Sequence, residues 1–253
     1  MIKALVTFDL DGTLMDTAPG TVRTVNRTLL SFGLGPLPSR EIAGCIGHGV
    51  QQLFRQVLAT AIPGLHGGLL DERLADVMPV FFHHYEELLG APGPLYPGVA
   101  DGLARLRRAG VRTAVVSNKE CRLAQRILRT AGVAEHFDLV LGGDSLAERK
   151  PHPLPLLHCL EQLGIDPRCA AHVGDMSIDV EAAHRAGIDA WVVPYGYQQC
   201  ESLLQAAPER VFASIDAVAD YVIDGEEELD PLPDRPNSFI RSKVIQPTGV
   251  CES

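Results

Sequence analysis

The sequence predicts an α/β fold, in which a Rossmann-like parallel sheet forms a core that carries an inserted helical segment. Short apolar runs alternate with amphipathic helical patterns from residue 99 to residue 222, which is typical of a parallel sheet covered by helices on both faces. Between residues 17 and 89 the apolar side chains recur only at helical spacing, so this stretch is predicted to be all helical.

The predicted elements follow one another with glycine- and proline-rich joints between them. Residues 4–8 (Ala-Leu-Val-Thr-Phe) form a buried strand that ends abruptly in acidic and glycine residues. Joints at residues 33–36 and 62–64 divide the helical segment, and a third at residues 90–94 ends it. Beyond it we predict helices over residues 99–108, 122–130, 154–163, 180–186 and 215–222, alternating with strands over residues 111–116, 137–141, 169–173, 190–193 and 211–212.

This pattern divides the chain into three parts. Residues 1–16 and 95–224 are predicted to form the α/β core, and residues 17–94 a helical domain inserted into it. Residues 225–253 carry an acidic run and four prolines but a single aromatic residue, so we expect a flexible tail. A partner-binding or oligomer-contacting arm is the alternative for this tail.

Composition and charge exclude several classes of partner. The 253 residues include 22 Lys and Arg against 32 Asp and Glu, a formal net charge of −10, which disfavours binding to nucleic acid or to an anionic membrane surface. The apolar runs are too short to span a bilayer, and the N-terminus lacks a signal-peptide pattern. We therefore expect a cytoplasmic protein, with no preference between a monomer and a homo-oligomer.

Polar clusters follow four of the predicted strands, at the edge where open parallel sheets place their ligands. Each cluster alone has a structural explanation, such as a turn, a helix cap or a surface lysine. Four such clusters, each after a predicted strand, together indicate a functional site. The clusters are Asp9-Leu10-Asp11-Gly12-Thr13, Ser117-Asn118, Lys150-Pro151 and Gly174-Asp175-Met176-Ser177-Ile178-Asp179.

These residue types suit phosphoryl transfer. Lys150, Ser117 and the backbone amides beside Asp11 can supply the positive charge and the donors that a phosphate group needs. Asp9 and Asp175, with a backbone carbonyl, form an oxygen-ligand set for Mg²⁺. One carboxylate can attack phosphorus, and a second carboxylate two residues away can protonate the leaving oxygen.

The clusters resemble, in order, the four motifs of the haloacid dehalogenase-like phosphatases, and the similarity covers roughly residues 2–222. The helical segment is similar to the α-helical cap domain of that family. Two further segments most resemble bacterial phosphoglycolate phosphatases. The segments are residues 8–17 (first motif), Ser117-Asn118-Lys119, Arg149-Lys150-Pro151 and residues 173–179 (the other three), with Ile46-Gly47-His48-Gly49-Val50 and Leu95-Tyr96-Pro97-Gly98-Val99.

The resemblance implies a role for each matching residue. Asp9 would be the nucleophile and Asp11 the general acid and base. Mg²⁺ would be the cofactor, bound by Asp9, Asp175 and the backbone carbonyl of Asp11. The remaining roles would be phosphoryl binding by Ser117, Asn118 and Lys150, bracing of the metal site by Asp179, and choice of substrate by Gly47, His48 and Gly49.

The expected function is Mg²⁺-dependent hydrolysis of a small phosphorylated metabolite, with 2-phosphoglycolate favoured, through an aspartyl-phosphate on Asp9. Because Asp11 is present, a phosphate ester is a better fit than the haloacid or phosphonate substrates of relatives that lack it. A sugar-phosphate mutase and a phosphatase of another small metabolite remain alternatives, although Thr13 favours hydrolysis. A non-catalytic phosphate-binding scaffold would be expected to lack Asp9 or Asp11.

Overall fold

The computed structural model describes residues 3–88, 93–225 and 244–245, and its strands form one parallel sheet. The strands are β1 (Leu5–Phe8), β2 (Arg112–Val116), β3 (Leu139–Leu141), β4 (Ala170–Gly174), β5 (Asp189–Val192), β6 (Arg210–Phe212) and β7 (Val244–Ile245). Their order is β3-β2-β1-β4-β5-β6-β7, and every pair of neighbours is parallel. The predicted α/β fold class is confirmed.

The helices also lie close to their predicted positions. Two of them, over residues 99–108 and 154–163, have the predicted bounds. A helix after β5 was not predicted, because its six residues are too few to show an apolar period. The helices are α1 (Ala18–Ser31), α2 (Ser39–Ala43), α3 (Val50–Ala61), α4 (Gly67–Leu88), α5 (Val99–Arg108), α6 (Cys121–Thr130), α7 (Leu154–Leu163), α8 (Ser177–Ala186), α9 (Cys200–Gln205) and α10 (Ile215–Asp224).

The central strands read as nearly continuous apolar runs because both of their faces are covered. Successive side chains of a strand point to opposite faces, and those of β1 and β2 enter two separate apolar clusters. Phe8 and Val115 pack in one cluster with Trp191, whereas Leu5 and Val116 pack in the other. Burial on both faces therefore leaves the strand ends as the places where this sheet can present polar groups.

Four helices, α1 to α4, form the segment between β1 and α5, and the chain passes between it and the core twice. The two passages run side by side: the Asp16 N–H donates to the Pro94 carbonyl (3.0 Å) and the Tyr96 N–H to the Leu14 carbonyl (3.1 Å). Gly93 has a φ of +117°, and a Cβ there would lie 1.8 Å from the Asp16 carbonyl oxygen. Only glycine fits this crossing.

The predicted domain boundaries at residues 16/17 and 94/95 remain a prediction, although α1 to α4 fall between them. The predicted flexible tail lies outside the described residues except for residue 225 and the two residues of β7. No helix in the described part of the chain is long and apolar enough to cross a membrane.

Candidate active site

The four polar clusters meet at the carboxyl edge of the sheet. Asp9 directly follows β1, Ser117 follows β2 and Asp175 follows β4, and these three strands are neighbours. Lys150 comes from the segment between β3 and α7. The side chains are buried although they are polar, which is expensive unless each is paired. The buried members are Asp9, Asp11, Ser117, Asn118, Lys150, Asp175 and Asp179.

Lys150 lies between two of the aspartates. Its ammonium is 2.7 Å from Asp179 Oδ1 and 3.1 Å from Asp9 Oδ1, and only 2% of the residue is exposed. Burial alone would favour the neutral amine, but the two carboxylates raise the pKa of Lys150 above its ordinary value. The lysine therefore stays charged inside the protein.

Asp179, in the first turn of α8, has both carboxylate oxygens engaged. Oδ2 accepts from the Met176 N–H (3.0 Å), and Oδ1 faces Lys150 and His172 Nε2 (3.3 Å). Although burial opposes ionisation, Lys150 and His172 hold the pKa of the Asp179 carboxyl well below its usual range. Burial lowers the pKa of His172, and a neutral ring can donate from Nε2 to Asp179 while Nδ1 accepts from Thr7 Oγ1, 2.8 Å away.

Asp9 and Asp175 have less compensation for their burial than Asp179. Burial raises the pKa of Asp9 to about 6 despite Lys150, and burial with the neighbouring Asp179 and Asp9 carboxylates raises the pKa of Asp175 well above its usual range. Asp175 accepts hydrogen bonds from Thr13 Oγ1 (3.0 Å) and the Tyr197 N–H (2.7 Å). Asp9 Oδ1 accepts no hydrogen bond from the described residues, although it lies 3.1 Å from the Lys150 ammonium.

This arrangement fits a divalent cation. Asp9, Asp175 and Asp179 each offer an oxygen within 4.8 Å of the others, and when all three are ionised they carry three negative charges against the single positive charge of Lys150. A hard dication such as Mg²⁺ prefers oxygen ligands of this kind. Asp9, which lines the cavity, and Asp175, which has no ion-pair partner among the described residues, are the side-chain ligands available, whereas Asp179 is tightly paired with Lys150.

Asp11 is held from two sides. Thr17 Oγ1 donates to Asp11 Oδ1 at 2.5 Å, and the Lys119 ammonium lies 3.0 Å from Oδ2. Lys119 also lies over the ring of Tyr85, on α4, at 5.2 Å from its centroid. Sequence reasoning assigned no role to Lys119 beyond its place in a motif. Its position directly after Ser117-Asn118 was the available signal.

Asn118 connects the core to the helical segment. Its side-chain amide donates to the Gly47 carbonyl (3.0 Å) and to the Lys150 carbonyl (2.9 Å). Ser117 is 4% exposed, and its Oγ accepts from the Lys119 N–H (3.3 Å). The amide of Asn118 is thus committed to positioning two loops, and the hydroxyl of Ser117 keeps its proton available for donation.

A small cavity of about 40 Å³, partly open to solvent, lies between this edge of the sheet and the helices α3 and α4. Gly47 and Gly49 line it, but His48 is exposed and does not. The structure therefore brings two of the three predicted specificity residues to the cavity. The core contributes Asp9, Asp11, Ser117, Asn118, Lys119, Glu120 and Leu123, and the helical segment Thr21, Ile46, Gly47, Gly49, Val50, Leu53, Phe81 and Tyr85.

Tyr197, in the loop after β5, links the site to α1 and was not found from the sequence. Its backbone N–H donates to Asp175 Oδ2 (2.7 Å), while its hydroxyl oxygen accepts from the N–H groups of Thr17 (2.8 Å) and Ala18 (2.9 Å). These N–H groups lie at the start of α1, where a helix lacks internal partners. One residue therefore joins a candidate metal ligand to the first helix of the inserted segment.

Comparison with known proteins agrees with this geometry. The sequence model for haloacid dehalogenase-like hydrolases matches residues 6–193. A phosphoglycolate phosphatase of Psychrobacter arcticus is 37% identical over 223 residues, which cover 88% of this chain and 97% of that protein. A plasmid-encoded phosphoglycolate phosphatase of Cupriavidus necator is 42% identical over 194 residues, covering 76% of this chain and 81% of that protein.

Solved structures show the same fold. The crystal structure of a predicted phosphoglycolate phosphatase from Haemophilus somnus superposes with a TM-score of 0.80 at 31% identity, covering 85% of this chain and 96% of that chain. CbbY from Rhodobacter sphaeroides, in complex with xylulose-1,5-bisphosphate, gives a TM-score of 0.70 at 27% identity, with the same two coverages of 85% and 96%.

Proposed function

The chain belongs to the haloacid dehalogenase-like hydrolase family, and from that premise we propose that it is a Mg²⁺-dependent phosphatase of small phosphomonoesters with 2-phosphoglycolate as its favoured substrate. The observation that carries the proposal is the buried Lys150 between Asp9 and Asp179, in a cluster of carboxylates that includes Asp175, together with a cavity lined by Asp9, Asp11 and Ser117.

Asp9 is the nucleophile in this proposal. Its carboxylate lines the cavity and would attack phosphorus, forming a new O–P bond while the bond from phosphorus to the ester oxygen breaks. Lys150 and the Ser117 hydroxyl would bind the phosphoryl oxygens. Mg²⁺, held by Asp9, Asp175 and the Asp11 carbonyl, would supply the positive charge that offsets these acids and the phosphate.

Asp11 is the general acid and base in this proposal. It would give a proton to the leaving alkoxide in the first step and take one from the attacking water in the second, which restores the Asp9 carboxylate and releases phosphate. Thr17 and Lys119 hold the two oxygens of its carboxyl group in place. The two steps need one proton each way, so Asp11 ends each cycle in the protonation state in which it began.

The inserted helices would control access to the aspartyl-phosphate. Apart from Thr21 and Tyr85, the residues that line the cavity from this segment are small or apolar, among them Ile46, Val50, Leu53 and Phe81. A closed apolar cover excludes stray water and leaves the single water that Asp11 activates.

The names of two relatives support 2-phosphoglycolate as the substrate. The two proteins from Psychrobacter arcticus and Cupriavidus necator are phosphoglycolate phosphatases by name. A second candidate, hydrolysis of a sugar phosphate, is favoured by the similarity to CbbY, whose structure contains xylulose-1,5-bisphosphate. A sugar-phosphate mutase would use the same nucleophile but return the phosphoryl group to a sugar.

The decisive experiment compares the wild-type chain with Asp9→Asn in the presence of Mg²⁺. Phosphate release from 2-phosphoglycolate and from small sugar phosphates is followed, together with labelling of the protein from ³²P-labelled substrate. Asp189→Asn is the matched control, because Asp189 pairs with Lys3 at 2.8 Å outside the site. Wild type and Asp189→Asn should release phosphate and become labelled, whereas Asp9→Asn should do neither.

Near-normal turnover by Asp9→Asn would contradict the mechanism. Faster release from a sugar phosphate than from 2-phosphoglycolate would instead identify the second candidate. Isomerised phosphosugar without free phosphate would identify a mutase, and binding of phosphate without turnover would identify a scaffold.

A further inference from the structure

Lys119 places a charged group at the boundary between the core and the helical segment. Its ammonium lies 3.0 Å from Asp11 Oδ2 and 5.2 Å from the ring centroid of Tyr85, and 9% of its side chain is exposed. Tyr85, on α4, is itself buried. The ammonium is therefore held between an acid of the core and an aromatic face of the inserted helices, an arrangement that favours a cation.

Lys119 also lines the cavity. Among the described residues that line the cavity, Lys119 is the only lysine or arginine. A carboxylate that enters a largely apolar space needs a partner, and neither Phe81 nor Leu53 can provide one. Glu120 lines the cavity as well, and burial raises the pKa of its carboxyl.

Lys119 has a donor to spare. An ammonium carries three N–H donors; here one bonds the Asp11 carboxylate, and the ring of Tyr85 lies against the same group. One donor therefore remains. Because Asp11 would protonate the leaving oxygen, the alcohol that leaves must lie beside Asp11, within reach of its neighbour Lys119. In 2-phosphoglycolate the carboxylate carbon is two covalent bonds from that oxygen.

We propose that Lys119 binds a carboxylate on the leaving group of the substrate and thereby selects phosphorylated small acids over neutral phosphoesters. The inference rests on the proposed phosphatase activity and deepens it, since it names the residue and the chemistry that distinguish one ester from another. Tyr85 completes the pocket from the helical segment, so the acid is recognised when core and inserted helices are packed together.

The test compares two esters of the same length, 2-phosphoglycolate and 2-hydroxyethyl phosphate, which differ by a carboxylate against a neutral hydroxymethyl group. kcat/KM for phosphate release is measured with Mg²⁺ for wild type, Lys119→Met and Lys119→Arg. Lys119→Met also removes a partner of Asp11 and should slow both esters. The ratio of the two kcat/KM values isolates the contact with the carboxylate.

Wild type should prefer 2-phosphoglycolate, and Lys119→Met should reduce that preference by about 10- to 100-fold, the range expected for a hydrogen bond to a charged group. Lys119→Arg should keep most of it. An unchanged ratio in Lys119→Met would show that Lys119 serves only Asp11 and would overturn the inference.

If Lys119→Met does not fold, the two esters can still be compared with the wild-type chain alone. Equal kcat/KM for the two esters would overturn the inference while leaving the phosphatase activity standing. Release of phosphate from neither ester, nor from any other phosphomonoester, would overturn the proposed function itself.

Discussion

The two walls of the cavity differ in chemistry. The wall formed by the sheet edge carries Asp9, Asp11 and Ser117, and behind it Lys150 is fixed between carboxylates. The wall formed by the inserted helices is mostly aliphatic and aromatic, with Thr21 and Tyr85 as its polar members. Buried charges must be paired and held, which a sheet edge with three adjacent strands can do. The helices supply cover and selection instead.

The largest expected effect comes from removing the buried cation of the polar wall. Lys150→Met leaves the Asp9 and Asp179 carboxylates without their partner, which should cost about 3–5 kcal/mol in the free energy of unfolding. The rate of phosphate release should fall by about 10²–10³-fold, as expected for loss of a positioned donor. Chemical denaturation and a phosphate assay measure the two effects.

Lys3→Met is the matched control for that variant. Lys3 is also buried and paired with an aspartate, Asp189 at 2.8 Å, but it precedes β1 at the opposite edge of the sheet. Lys3→Met should lower the free energy of unfolding and leave the rate of phosphate release unchanged. Equal loss of rate in both variants would mean that the polar wall has no special role.

The next effect tests the apolar wall. Phe54, on α3, is fully buried, with its ring 5.1 Å from that of Phe81 on α4. Phe54→Ala should cost about 3–5 kcal/mol in the free energy of unfolding, because a large cavity forms between the two helices. Leu69→Ala, at a residue that is 67% exposed on the same helix as Phe81, should change stability by less than about 0.5 kcal/mol. A cost below that of Leu69→Ala would refute this packing.

Removing Mg²⁺ should affect the polar wall of the cavity and not the wall formed by the inserted helices. With Mg²⁺ at about 100 times its Kd, the free energy of unfolding should rise by about 2.7 kcal/mol, because the cation neutralises the cluster of Asp9, Asp175 and Asp179. Thermal unfolding with Mg²⁺ and with a chelator measures this gain. Asp175→Asn should lose most of the gain, whereas Phe54→Ala should keep it. A gain that survives in Asp175→Asn would place the cation elsewhere.

The smallest expected effect concerns Tyr197, which links the two walls of the cavity. Tyr197→Phe removes the oxygen that accepts from the Thr17 and Ala18 N–H groups at the start of α1, and it should cost about 1 kcal/mol in the free energy of unfolding. It should also change kcat or KM, since Thr17 holds Asp11.

The control is Tyr195→Phe, which removes a hydroxyl that donates to the Thr13 carbonyl (2.8 Å). It should cost a similar amount of stability without altering the start of α1. Identical kinetics for the two variants would contradict the link.

Much of the fold could be predicted because local patterns encode it. The apolar periods located β1 to β6 and most helices, and the rule that parallel strands present ligands at their carboxyl ends placed Asp9, Ser117 and Asp175 at one edge. The short α9 and β7 were not predicted, because six and two residues carry no measurable period.

The sequence by itself determined which residues could carry phosphoryl-transfer chemistry and that they share one edge of a parallel sheet. Only the tertiary structure decided their partners. Lys119 meets Asp11 across 108 positions of sequence, and Tyr197 meets Thr17 across 180, while His48 lies outside the cavity that its glycine neighbours line. Such contacts depend on how whole elements pack, because side-chain distances between separate elements are set by burial and shape and leave no trace in local periodicity.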